Sequence, residues 1–180
     1  MAESTYLLNH DFNRMLCFSE LIEVTAIYNM AIENANFTIP KLDTLKFMLW
    51  AKRDKISYGP YQNLTFFEIS NRIYSDLVLL EAAQILFVEH HIKRIQLKMS
   101  NHAGNDLIVI DKDNKEIKGE AFNTAPSFFQ IKMRKELGKL KNEPNGIIAF
   151  NESAVSVKNS VFLERKKIEY PNIVFIECKI

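Results

Sequence analysis

Five carboxylates, Asp106, Asp111, Asp113, Glu116 and Glu120, fall within the stretch Asn105 to Asn123, NDLIVIDKDNKEIKGEAFN, and acids this close along a chain can share a cation if the backbone folds back between them. Leu107-Ile108-Val109-Ile110 is an apolar run rich in β-branched residues. The polar cluster Asp111 to Lys115 follows it, and Glu116 to Phe122 returns, so the stretch reads as a β-hairpin. A turn centred near Asp113 sets Asp106 opposite Glu120 or Ala121, with Glu116 opposite Ile110 or Asp111 at the far end. Two carboxylates gathered at one strand end repel each other unless a proton or a cation sits between them, and hard divalent metals are held by such oxygens. The plainer alternative is that these acids are surface charges beside a turn.

The rest of the chain sets the frame for that hairpin. Its 180 residues suit one domain with a substantial core, and a 47% apolar, 25% charged composition is that of an ordinary globular protein. The net charge of +1 names no partner. Cys17 and Cys178 lie near opposite ends and match no metal-ligand spacing, so packed thiols in a reducing compartment are expected. The start, MAESTYLLNHDFNRM, has neither a basic leader followed by an apolar core nor a run long enough to span a bilayer, which points to a cytoplasmic protein without membrane contact. The sequons at Asn36, Asn63 and Asn151 then carry no glycan. No His/Cys zinc pattern, P-loop, Gly-x-Ser-x-Gly or Gly-x-Gly-x-x-Gly motif competes for another enzyme class.

Hydrophobic spacing predicts a helix from Asp11 to about Asn34 and a short one through Leu42, Leu45, Met48, Leu49 and Trp50, ending in the basic residues Lys52, Arg53 and Lys55. Tyr58-Gly59-Pro60-Tyr61 reads as a loop. Thr65 to His91 reads as one long helix or two abutting ones, its second half apolar on every side except Glu81 and Gln84. A carboxylate inside such a helix must be paired, protonated or open to a cleft, so Glu81 is either a salt-bridge partner or a functional acid. His90 and His91 read as surface residues at its end. Arg94 to Met99 alternates as a strand, and Ser100 to Gly104 is a loop before the hairpin. Ser127 to Leu140 reads as a helix capped by Ser127, with Phe128, Ile131, Leu137 and Leu140 facing inward and Lys132, Arg134, Lys135, Lys139 and Lys141 forming a basic face. Gly146 to Asn151 and Asn172 to Glu177 read as buried strands, with Val155 to Ile168 irregular or partly helical between them.

That order of elements, with an acid at the start of the second strand and another on the third, resembles the PD-(D/E)XK nuclease superfamily. The resemblance covers roughly Leu77 to Ile180 and implies an α/β (α+β) domain. Its core is a restriction-endonuclease-like mixed β-sheet flanked by helices, residues 77–180, and residues 1–75 form an N-terminal helical elaboration. It also implies roles: Asp106 as the first metal-binding acid, preceded by Asn105 where the motif has Pro; Glu120 as the second; Glu81 as the helical Glu. The chain departs from the pattern at the lysine, because Phe122 stands where Glu-x-Lys would place it. The literal Glu116-Ile117-Lys118 lies about 13 Å along the strand from Glu120, too far to share the Asp106 metal. Lysine migration onto the next helix points to Lys132, with Gln130 beside it, while Lys118, on the Glu120 face by parity, is the other candidate.

What the resemblance implies is a Mg²⁺-dependent DNA endonuclease, most simply a type II restriction enzyme cutting double-stranded DNA as a homodimer. Asp106 and Glu120 would hold the metal, Lys132 would supply a cation, and Lys118, Arg134, Lys135 and Lys139 would meet phosphates. The alternative is a catalytically inactive relative that binds nucleic acid or a protein partner.

Overall fold

The computed structural model describes residues 5–8, 12, 14–99 and 104–180. Helix α1 (Phe18–Glu33) begins at a Cys17 cap, where Glu20 accepts the Cys17 backbone N–H at 2.8 Å. The part of the expected helix that includes Asp11 lies outside the described residues or precedes this cap. Helix α2 (Thr44–Arg53) follows, capped by Asp43, whose carboxylate accepts the Lys46 N–H. The Tyr58 to Tyr61 segment is more than a loop: it is the turn of an antiparallel hairpin, β1 (Lys55–Tyr58) with β2 (Tyr61–Thr65). Helix α3 (Phe66–Glu89) is the expected long helix, started by the capping box of Thr65 and Glu68.

Then come β3 (Arg94–Leu97), β4 (Leu107–Ile110) and β5 (Glu116–Phe122), which pair antiparallel in sequence. A 3₁₀ turn (Pro126–Phe128) leads into α4 (Phe129–Leu140). Strand β6 (Gly146–Asn151) lies parallel to β5, and β7 (Ile173–Cys178) parallel to β6. The segment before β7 is fully helical as α5 (Val157–Glu169), because Ser156 caps it by accepting the Asn159 N–H. The result is a mixed five-stranded sheet in the order β3-β4-β5-β6-β7 flanked by helices, the α/β architecture expected.

Side chains alternate across this sheet and divide the core in two. Leu107, Val109, Ile147 and Ala149 pack with Val78, Leu79, Ala82, Ala83 and Leu86 of α3. Phe122, Ile148 and Phe150 face the other way, into Phe129, Met133, Leu137 and Leu140 of α4 and Phe162 and Leu163 of α5. The N-terminal region shares the first core through Leu21, Val24, Tyr28, Tyr61 and Leu64. It also covers the sheet edge, since Leu16 and Ile95 exchange backbone hydrogen bonds at 2.7 and 2.9 Å. Among the described residues no helix is long and apolar enough to cross a membrane, and Cys17 and Cys178 are free thiols.

The inward face of α4 differs from the expected one. Phe128 and Ile131 point to solvent, and Phe129, Met133, Glu136, Leu137 and Leu140 point in. The 3₁₀ turn delays the helix past Ser127, which makes no side-chain cap, and Phe129 takes the place among Phe122, Phe150 and Phe162. Burying Phe129 against three rings fixes the rotation of the helix, and a shift of one residue turns each side chain about 100°.

Candidate metal and phosphate site

The ladder between β4 and β5 pairs Leu107 with Gly119 and Ile108 with Lys118. One step further along the same register Asp106 stands directly opposite Glu120, on the face covered by α4. The Asp111 carboxylate makes this register, accepting the backbone N–H groups of Asp113 and Lys115 at 2.8 Å each and closing the turn around Asn114 in the left-handed region. Glu116 sits at the far end, opposite Ile110.

Backbone and amide groups hold the two acids. Asp106 accepts the Ala121 N–H at 2.9 Å, and Glu120 accepts the Asn105 side-chain amide at 2.8 Å. Asn105, next to the first acid, therefore carries a donor that orients the second. Glu120 is completely buried and pairs with the Lys139 ammonium. Glu136, also buried, lies 2.5 Å from the same ammonium, with an oxygen that gains an ion contact but no directed hydrogen bond. Two carboxylates thus share one lysine, with Asp106 next to Glu120.

Burial pushes the Asp106 carboxyl above its ordinary range. The Ala121 N–H and the Lys139 charge oppose this, and Glu136 adds to it. Burial likewise raises Glu120, against its hydrogen bond from Lys139 and with help from the Asp106 charge. Burial alone would lower Lys139, but its contacts with Glu120 and Glu136 outweigh that and hold it above the usual lysine range. A cluster in which acids resist ionisation while the one ammonium stays charged is short of positive charge.

Asp106, Glu136 and Lys139 floor a cleft of about 220 Å³ between α3, α4 and the open end of the β4–β5 hairpin, with Glu120 buried behind them. Lys132 and Lys135 of α4 line it with Lys139, and Arg72 of α3 and Lys98 after β3 line the opposite side. The acid that α3 contributes is Asp76, not Glu81. Five residues past Asp76, Glu81 is rotated about 140° around the helix, toward β7, where its charge helps push the Cys178 thiol up to about 12 after burial. Asp76 is buried and accepts hydroxyl hydrogen bonds from Tyr28, at 3.0 Å, and Tyr61.

Other expected residues sit elsewhere. Gln130 donates to Asn159 at 3.3 Å and lines a separate surface pocket with Arg134, whose guanidinium lies over the Phe162 ring at 4.9 Å. Lys118 does share the Glu120 face, but its ammonium pairs with Glu143 at 2.8 Å. Lys132 reaches the cleft, yet the lysine on the acids is Lys139, expected only to meet phosphate. Residues 132, 135, 136 and 139 share one helical face, so the spacing that collected the lysines also held Glu136. Among the described residues no group of three or more His, Cys, Asp or Glu side chains is placed to hold a metal by itself.

No protein-family model and no curated protein matches the chain. Among solved structures it is similar to the crystal structure of a repair endonuclease from Pyrococcus abyssi, with 20% identity and a TM-score of 0.30. That likeness spans 55% of this chain and 46% of the other, about half of each. At that TM-score it says nothing of this chain's chemistry, which rests on its own residues.

Position 122, where the resemblance would place a lysine, is an apolar core position. The ring is buried among Phe129 and Phe150, at centroid distances of 6.0 and 5.9 Å. Phe122→Lys should therefore not improve the site. It should cost stability by about 3–5 kcal/mol, as for deleting a buried aromatic, with the buried ammonium adding to the loss. Chemical denaturation checks this, and a variant as stable as the wild type would contradict it.

Proposed function

We propose that the chain is a metal-dependent DNA nuclease, with Asp106 and Glu120 as ligands for a divalent cation, Mg²⁺ by the hardness of their oxygens. The observation that carries this reading is the half-buried Asp106 beside the fully buried Glu120 at the open end of the hairpin, beneath a rim of Arg72, Lys98, Lys132, Lys135 and Lys139. The residues fit the ion. Every acidic donor is a carboxylate oxygen, and Asp106, Glu120 and Glu136 against Lys139 leave two negative charges when all are ionised. Two protein carboxylates, with water and phosphate oxygens completing the shell, is how Mg²⁺ is commonly held. When bound, the ion makes water a better nucleophile near neutral pH and draws charge from the scissile phosphate.

The chain's own groups do the rest. The Ala121 N–H and the Asn105 amide fix the two carboxylates, so their orientation is set before substrate arrives. Lys139, 41% exposed, keeps one side open to the cleft and can donate to a phosphate oxygen or to the attacking water. Lys132 and Lys135 meet flanking phosphates, which makes affinity fall with salt. Asp76, held by two phenols, lines the cleft with Lys132 and Lys139.

The Lys139 contacts also favour a second reading, because an ammonium between Glu120 and Glu136 can stand in for the cation in a protein that binds nucleic acid without cutting it. Incubation with labelled single- and double-stranded DNA in Mg²⁺, Mn²⁺ or EDTA separates the two. The nuclease reading requires cleavage with metal that EDTA abolishes; binding without cleavage in either metal supports the second reading.

Cutting both strands of a duplex, as a type II restriction enzyme does, is most simply the work of two copies about a two-fold axis. Leu45, 70% exposed, with Met48 and Leu49 on α2, offers apolar surface for such a contact. Light scattering at micromolar concentration should then give the mass of two chains, and the mass of one removes the dimer.

A further inference from the structure

The solvent side of α4 leaves two apolar groups uncovered, Phe128 at its start and Ile131 at the edge of the separate pocket with Gln130 and Arg134. Phe128 is 59% and Ile131 63% exposed, although Phe129, one position on, is fully buried. Phe128, Lys132, Lys135 and Lys139 follow one another at spacings of four, three and four, so they form a single row along the helix, about 16 Å long at 1.5 Å per residue. One end of that row is the ammonium on Glu120, and the other is an open aromatic ring.

Gly138 lies beside the row, on the same side as Ile131. Glycine inside a helix costs about 1 kcal/mol relative to alanine. Here packing gives no reason for it: among the described residues, apart from its chain neighbours and the backbone of its own helix, no atom lies within 4 Å of where its Cβ would stand. A bare backbone at an exposed helical position, one residue before the lysine that touches the acids, lets another chain approach closely.

We propose that this row is a track for a single-stranded segment of nucleic acid. Its phosphates meet Lys135 and Lys132, a base stacks on Phe128 and Ile131, and the strand passes close over Gly138 to reach the acid pair. Charge complementarity selects a polyanion, since the three cations of the row face the cleft and its exposed aromatic continues them. The ring selects unpaired bases, because stacking on a side chain needs a free base face that a continuous duplex does not offer. The inference rests on the nuclease reading only for the position of the scissile phosphate at the Lys139 end.

The test is metal-free binding, in EDTA, of a fluorescent oligothymidine and of a duplex of the same length, followed by anisotropy. The single strand should bind more tightly. Phe128→Ala should weaken single-strand binding about tenfold, the weight of one base stack, and Phe128→Trp should retain it. Gly138→Ala should raise the melting temperature and still weaken single-strand binding. Equal affinity for duplex and single strand, or unchanged single-strand affinity in both Phe128→Ala and Gly138→Ala, overturns the track. Its failure is distinct from failure of the nuclease reading: cleavage without single-strand preference removes the track alone, and ring-dependent binding without cleavage in any metal removes the nuclease alone.

Discussion

Asp106→Asn or Glu120→Gln should lower metal-dependent cleavage about a thousandfold or more, since losing a ligand forfeits several kcal/mol of charge stabilisation and about 4 kcal/mol corresponds to that factor. The same variants should melt at higher temperature than the wild type in metal-free buffer at neutral pH. Burial, with the neighbouring acids, raises both carboxyls in the folded protein. Their contribution to stability is therefore fully present below their unfolded values and is lost as pH rises through the raised ones. An amide in either place does not ionise, so the variant escapes that loss, and Asn at 106 can still accept the Ala121 N–H. Added Mg²⁺ should raise the melting temperature of the wild type and leave the variants unmoved. Thermal melts from acid to neutral pH, beside cleavage rates, check both halves. Wild-type rates in either variant would remove that residue from the metal site.

Lys139→Met should be the most damaging lysine substitution, lowering the cleavage rate by about a hundredfold or more, as removal of a charge-stabilising donor does. It takes away the ammonium that touches both Glu120 and Glu136. Lys132→Ala, at the rim, should mainly weaken DNA affinity and flatten its salt dependence. Lys118→Ala breaks a partly exposed, solvent-screened pair with Glu143 and should leave the rate unchanged. Rates at saturating Mg²⁺ for the three variants decide among them. Near wild-type turnover in Lys139→Met with loss in Lys132→Ala would make Lys139 a counter-ion and Lys132 the working cation.

The hairpin was legible because two local signals agree. An apolar β-branched run and an Asp-rich turn fix the pairing, and the turn centred at Asp113 carries the register out to Asp106 and Glu120. Both parallel strands were legible as short apolar runs, and α3 as a long segment without a breaker. The β1–β2 hairpin was less so, because Lys55 to Thr65 mixes charged, aromatic and polar residues without alternation, and its Gly-Pro turn reads equally as a loop. Helix α5 was obscured by Val155 and Val157 at its start, where the Ser156 cap decides the outcome.

Within the site, local pattern fails where rotation of a helix about its axis decides. The doublet Phe128-Phe129 offers two inward faces one residue apart, and only packing among Phe122, Phe150 and Phe162 selects the second. That choice turns Gln130 and Arg134 away from the acids and brings Lys139 and Glu136 to them. On α3 the most apolar stretch drew attention to Glu81, but the cleft borders the preceding turns, where Arg72, Ser75 and Asp76 form a polar stripe. The hydroxyls that satisfy Asp76 come from Tyr28 and Tyr61, which no local spacing connects to it.

The central claim is that Asp106 and Glu120 together hold a divalent cation, and calorimetric titration of Mn²⁺ into the metal-free protein tests it without depending on turnover or on any choice of substrate. Saturable uptake by the wild type that is lost in the Asp106→Asn/Glu120→Gln double variant is the result expected here. Equal uptake by both proteins, or none by the folded wild type, would contradict it.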